Sequence, residues 1–201
     1  MRTIVVLDVG DVVLRTVPMA HYRALAGWSG LPWQTVAARI ESVGLVARFE
    51  TGTVSQQRFA DAVRLALGTP SLTRSAVRAA WIAVLGAVDP RIAEPAARLA
   101  SARRLVLASN TNAFHWPVVC RRLHDAGLAA PAVLSHRVGA AKPAADFFRA
   151  LGRQIPLHRA VLVDDRSENV SAGAEHGLAG WLHEEVPATA RMLNRVVAGE
   201  A

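Results

Sequence analysis

The 201-residue chain contains a single cysteine, a single lysine and no apolar run long enough to span a bilayer. One cysteine, Cys120, excludes an internal disulfide and fits a reducing, cytoplasmic setting. It sits after the apolar run Pro117-Val118-Val119, which predicts a small buried residue rather than a nucleophile. The longest apolar window, Ala79 to Val88, is about half of the roughly 20 residues that a spanning helix needs, so no membrane segment is expected. Arg2 precedes an apolar stretch, but Asp8 interrupts it and no small-residue cleavage site follows, so no export signal is expected either. Internal repeats, low-complexity segments and long linkers are also missing. The formal charge of +7 invites a nucleic-acid reading. The arginines are scattered, however, with only Arg103-Arg104 and Arg121-Arg122 adjacent, and no aromatic-interleaved basic stripe exists. Nucleic-acid binding is therefore not expected, while a general attraction for anionic substrates remains.

A composition of 52% hydrophobic and 19% charged residues is that of a globular protein. The length allows one good-sized domain, or a core with a smaller insert. Thr3 to Leu7 form an unbroken apolar and β-branched run, the pattern of a strand buried on both faces of a parallel sheet. Asp8 stands at its carboxyl end, where open α/β sheets bind ligands. The same stretch also suits a simple turn through Gly10 and Asp11. From 16 to 87 the chain reads as helices without a strand. MAHYRALAGW is the first, and Trp33, Val36, Ala37 and Ile40 make the apolar face of the second. Phe49 to Gly52 reads as a turn. Ser55 caps a third helix with Phe59, Val63, Leu65, Ala66 and Leu67 inward. Thr73 caps a fourth with Val77, Ala80, Trp81, Val84 and Leu85 inward. His21, Tyr22 and Arg48 are candidates to line a pocket from this side, against packing and solvated charge as the plainer readings. From Asp89 onward helices and strands alternate: strands end at Ala108, Leu134, Val163 and Leu182, with helices over 90–101, 114–126, 144–151, 170–176 and 187–197. Such alternation predicts a parallel sheet with helices on both faces.

Four polar clusters follow four apolar strands: Asp8, Ser109, Lys142 and Asp164-Asp165. In a parallel sheet those strand ends share one edge. Two carboxylates brought together there repel unless a cation lies between them, and hard oxygen donors suit Mg²⁺. A hydroxyl and an ammonium beside that metal can hold phosphoryl oxygens while one carboxylate attacks in line. Each piece has a bland counterpart. Ser109 before Asn110-Thr111-Asn112 suits a turn, Lys142 before Pro143 a solvated charge, and Asp164-Asp165 a cap for a helix beginning near Ser167.

The stretches LDVGDVV (7–13), FETGTVSQQRF (49–59), LASNTN (107–112), GAAKPAADFF (139–148) and VDDRSENVSAGAEHGL (163–178) resemble, in order, the motifs of the haloacid dehalogenase-like hydrolases. The branch resembled carries a helical cap directly after the first motif, and within it the glucose-1-phosphatase-like sugar phosphatases are most similar. The resemblance implies a Rossmann-like core over 1–14 and 88–201 and a small helical cap over 15–87. It implies a Mg²⁺-dependent phosphatase acting on a small phosphorylated substrate, as monomer or homodimer. Asp8 would be the nucleophile that becomes a phosphoaspartate and a metal ligand, with the Gly10 carbonyl and Asp165 as further ligands. Asp164 and Asn169 would support the metal, while Ser109, the Asn110 backbone and Lys142 would bind the phosphoryl group. One position departs from the pattern. The phosphatases usually carry a second aspartate two residues after the nucleophile, as general acid and base, and here it is Gly10. Asp11 should point elsewhere, because consecutive side chains of an extended segment alternate. Glycine at this position also occurs in the glucose-1-phosphatase-like group, and it predicts a leaving group that needs little protonation, such as an anomeric or acyl phosphate. Three rival readings remain. A dehalogenase on this scaffold would use Asp8 without a metal, against which the acidic pair argues. A receiver domain shares the residue types but places its acidic pair early in a shorter chain. A binding or regulatory protein could keep the phosphate pocket with little turnover, and Gly10 favours that one.

Overall fold

The apolar run after Thr3 forms β1 (Ile4–Leu7), the middle strand of a five-stranded parallel sheet in the computed structural model, which describes residues 3–200. Arg2 and the outermost positions of the expected core, 1 and 201, lie outside the described residues. β4 (Leu105–Ser109) and β6 (Ala160–Asp164) flank β1, and β5 (Ala132–Leu134) and β7 (Ala179–Leu182) are the edges, in the order β5-β4-β1-β6-β7. Leu7 pairs with both Leu107 and Val163, so Asp8, Ser109 and Asp164 reach the same edge.

Alternate β1 residues serve opposite layers, as the two-residue period of a strand requires. Val5 and Leu7 pack with α6 (Pro90–Ser101), α7 (His115–Asp125) and α11 (Val186–Ala198). Val6 packs on the other face with Phe147, Phe148 and Leu151 of α9 (Ala145–Gly152) and with Leu178 after α10 (Ser167–Glu175). The expected α/β sheet with helices on both faces is thus present. No helix among the described residues is long and apolar enough to cross a membrane.

Between β1 and α6 lie α1 (Ala20–Ser29), α2 (Trp33–Glu41), α3 (Leu45–Glu50), α4 (Gln56–Leu67) and α5 (Arg74–Ile82), packed around a separate cluster that includes Leu25, Val36, Ile40, Phe59 and Val77. Ser55 and Thr73 cap α4 and α5 as expected, accepting from Arg58 N at 3.3 Å and Ala76 N at 3.1 Å.

Several expectations are corrected here. Residues 16–87 are not strandless at their ends: β2 (Leu14–Thr16) and β3 (Leu85–Val88) pair as an antiparallel ribbon, and Val17 N donates to Val84 O at 2.8 Å beyond it. Val84 and Leu85 therefore leave α5, Val84 for the turn before β3 and Leu85 for its first position. Leu45 to Glu50 is helical, so the turn begins only at Thr51. Leu65 is 84% exposed, because Phe59, Ala60, Val63 and Leu67 form the buried face of α4. Cys120 is exposed, since α7 buries Trp116, Val119 and Leu123 on a stripe that bypasses it. Pro143 lies in a turn before α9 rather than in its first helical turn.

Candidate active site

Asp8 is carried past the end of β1 and held there by its backbone N–H, which donates to Val163 O at 2.9 Å. Lys142 arrives from the loop after α8 (Ser135–Val138), and Asn110 fixes it at both backbone groups. Lys142 N donates to Asn110 Oδ1 at 2.8 Å, and Asn110 Nδ2 donates to Lys142 O at 2.8 Å. The ammonium thereby passes beneath the strand ends. Nζ donates to Ala108 O at 2.7 Å and to Asp164 Oδ2 at 2.5 Å, and lies 3.0 Å from Asp8 Oδ1. Asp164 is fully buried, and its other oxygen accepts from Arg166 N at 3.0 Å and Asn169 Nδ2 at 2.8 Å. The next residue, Asp165, is half-buried and open to the edge.

One carboxylate oxygen each from Asp8, Asp164 and Asp165 lies within 4.8 Å of the others. Three carboxylates share one buried ammonium, and Asn169 Oδ1 is buried without a hydrogen-bond partner. The set is short of positive charge and made of hard oxygen donors, so these residues fit a divalent cation such as Mg²⁺. Electrostatics say the same. Burial pushes the Asp8 carboxyl up to about 7, with Asp164 adding to the rise and Lys142 opposing it. Asp165 is raised for the same first reason and by Asp164. Burial works against the charge on Lys142, but Asp8 and Asp164 outweigh it and hold the ammonium above its ordinary range.

Every residue assigned from the sequence to the metal or the phosphoryl group comes to this edge. Ser109 and Asn110 line a cavity of about 270 Å³, and Gly10 lines it too. A Cβ at Gly10 would meet nothing closer than Thr16 Cγ2 at 4.0 Å. Asp11 is turned away, but by a turn in which its φ is 55° and not by the alternation of an extended segment, and its carboxylate accepts from Thr16 N at 2.8 Å and Thr16 Oγ1 at 2.7 Å. The bland reading of Asn112 is also right: its Oδ1 accepts from Phe114 N and His115 N at the start of α7.

The far wall of the cavity comes from the helices. His21 reaches it, whereas Tyr22 is buried with its hydroxyl donating to Glu41 Oε1 at 2.7 Å, and Arg48 does not line it. Glu50, Trp81 and His115 line it as well and were not singled out from sequence. For Glu50 a signal existed, since it lies inside the FETG stretch. Thr111 lines the cavity too and is held by Ser135, whose Oγ accepts from Thr111 N and donates to Thr111 O, both at 2.8 Å.

A central strand ending in a buried aspartate, an acidic pair on its neighbour and a lysine between them define the architecture: the chain has the fold of the haloacid dehalogenase-like hydrolases. A haloacid dehalogenase family enzyme from Bacteroides thetaiotaomicron is similar over 91% of this chain and 94% of its own, at 19% identity and a TM-score of 0.80. That enzyme is also solved as a complex with magnesium and inorganic phosphate. A predicted hydrolase of the same kind from Porphyromonas gingivalis is similar at 21% identity over 96% and 98% of the chains, with a TM-score of 0.78. A 2-haloacid dehalogenase from Pseudomonas syringae pv. Tomato spans all of both chains at 20% identity and a TM-score of 0.59. No protein-family profile and no curated protein matches the sequence.

Proposed function

We propose that this chain is a Mg²⁺-dependent phosphatase that hydrolyses a small phosphorylated metabolite, a sugar phosphate foremost, through a phosphoaspartate at Asp8. One observation carries the reading: Asp8, Asp164 and Asp165 converge within 4.8 Å beside the buried Lys142. The Bacteroides relative bound to magnesium and phosphate supports it. A dehalogenase needs no metal, and the three converging carboxylates argue for one.

Asp8, Asp165 and the Gly10 carbonyl would hold Mg²⁺, with Asp164 and Asn169 behind them. Bound there, the cation supplies charge neutralisation for the phosphoryl oxygens. Asp8 presents its second oxygen to phosphorus in line with the leaving group. Lys142 keeps Asp8 ionised and oriented and draws charge from the phosphoryl group. The Ser109 hydroxyl and the Asn110 backbone N–H hold the remaining oxygens. The helical segment, 15–87, acts as a cap whose cavity selects the leaving group. At about 270 Å³ that cavity is near the lower end of the ~300–1,000 Å³ typical of ligand pockets, which favours a compact leaving group over a nucleoside. The single cysteine suits work in the cytoplasm.

Gly10 favours a second reading, a phosphate-binding regulatory protein with little turnover. Phosphate release from a panel of sugar, acyl and nucleotide phosphates, with and without Mg²⁺, separates the two. The enzyme reading expects release that needs Mg²⁺ and is abolished in Asp8→Asn. A wild type no better than Asp8→Asn across the panel would favour the binding protein.

A further inference from the structure

The gap at Gly10 leaves the departing oxygen of a substrate without an obvious proton. Read along the chain, this implies a leaving group that needs none. In three dimensions the same cavity that Gly10 and Ser109 open into is closed by three titratable side chains, His21, Glu50 and His115. Two of them are unsuited to give a proton. His115 is committed at both ring nitrogens, Nε2 to Trp81 O at 3.0 Å and Nδ1 to Asn112 Nδ2 at 3.1 Å. His21 packs its ring against Tyr22 and Trp81, with centroids 3.9 and 4.7 Å away, and its Nδ1 is buried with no partner. Burial lowers both imidazoles to about 4, so they are neutral at physiological pH.

Glu50 differs. It ends α3, its side chain is partly covered, and no hydrogen bond or ion pair from any described residue engages its carboxyl. The charge that acts on it is Arg166, the residue after the acidic pair. Arg166 is itself engaged by Glu168, through Nε at 2.7 Å and through Nη2. A free carboxyl in the wall of a leaving-group cavity, opposite a position that lacks its usual acid, has a plain chemical use. We propose that Glu50 is the group that gives a proton to the departing oxygen of the substrate, a task for which position 10 offers no side chain.

This inference rests on the phosphoaspartate reading above. In the first step an Asp8 oxygen bonds to phosphorus, the bond from phosphorus to the leaving oxygen breaks, and the Glu50 proton passes to that oxygen. The alcohol departs and Glu50 is left as carboxylate. In the second step water bonds to phosphorus, the bond from phosphorus to the Asp8 oxygen breaks, and a water proton returns to Glu50 as phosphate is released. Burial raises the Glu50 carboxyl above its ordinary value against the pull of Arg166, which favours the protonated form the first step needs.

The test compares kcat/KM of the Mg²⁺-loaded wild type and Glu50→Gln on two substrates, 4-nitrophenyl phosphate and the best alkyl or sugar phosphate of the panel. This ratio reports events up to departure of the leaving group, so the later water step does not enter it. A nitrophenolate leaves without a proton and an alkoxide does not. Glu50→Gln should therefore lose about 10²-fold or more on the alkyl substrate, the usual worth of a general acid, and less than threefold on the nitrophenyl one. Gly10→Asp in the Glu50→Gln background, where the added side chain has room, should recover the alkyl loss selectively. Equal losses on both substrates would overturn the inference, showing Glu50 to be a packing or binding residue. A wild type inactive on both would instead remove the phosphatase reading itself.

Discussion

Lys142 is the residue on which the site's charge depends. It is 1% exposed at its side chain and lies between two carboxylates that are 11% and 0% exposed. Removing one partner of a buried ionic group leaves uncompensated charge, at about 3–5 kcal/mol. Lys142→Ala should lower the unfolding free energy of the metal-free protein by about that amount in urea titrations, and added Mg²⁺ should restore part of it. Asp8 gives a related pH dependence. Its carboxyl titrates near its ordinary value of 3.8 when unfolded and near 7 when folded without metal. The folded state thus holds the proton more tightly, so this contribution is complete below about pH 4 and is lost as pH rises to about 7. Mg²⁺ binds the ionised form and displaces that proton. The Mg²⁺-induced rise in Tm should therefore be larger at pH 8 than at pH 5, and equal shifts at both would contradict the assignment of Asp8 as a ligand. At this scale much was legible: Asp8, Ser109 and Asp164 each end an apolar strand, and a parallel sheet has only one edge for such ends. The double clamp of Asn110 on Lys142 was not legible, because it joins loops 32 residues apart. Glu50 stood inside the FETG stretch, but its place in the cavity wall was not legible, because it follows from the packing of α3.

Helices and strands of the core were readable to within a residue or two, except for the start of α10 and the four-residue α8, which was missed, because long apolar runs alternate there with amphipathic ones. The helical segment was harder. α3 has only six residues and begins after Gly44, whose φ of 61° ends any simple periodicity. β2 and β3 are short, and β3 lies inside an apolar run continuous with α5, so nothing local marks a strand. Only pairing across some 70 residues reveals them. How closely these helices sit on the core is visible at Gly52, in the turn between α3 and α4. Its φ is +70°, and a Cβ there would stand 2.1 Å from His136 O in α8. Gly52→Ala must therefore both strain the backbone and push the turn off the core. A loss of about 1–3 kcal/mol in urea unfolding is expected, the cost of a residue held in a sparsely populated conformation.

Across the whole molecule, three apolar clusters divide the work: two fill the faces of the sheet, and the third holds the five helices together with Phe114, contributed from just after β4. Phe114 packs edge-on to Phe49 and Phe59, with centroids 5.0 and 5.9 Å away, so the core lends the helical layer part of its own interior. The scattered arginines behind the +7 charge leave this division untouched. The backbone contact between Val17 and Val84 has a consequence for how such a protein can be remade. To the sheet, residues 18–83 are a hairpin loop, entered and left at neighbouring points. A cassette from another chain, or a short turn, could be spliced in at that junction without breaking any pairing of the five parallel strands. The helical layer would then be exchanged at a single seam, while the carboxylates and the lysine stayed where the strands place them.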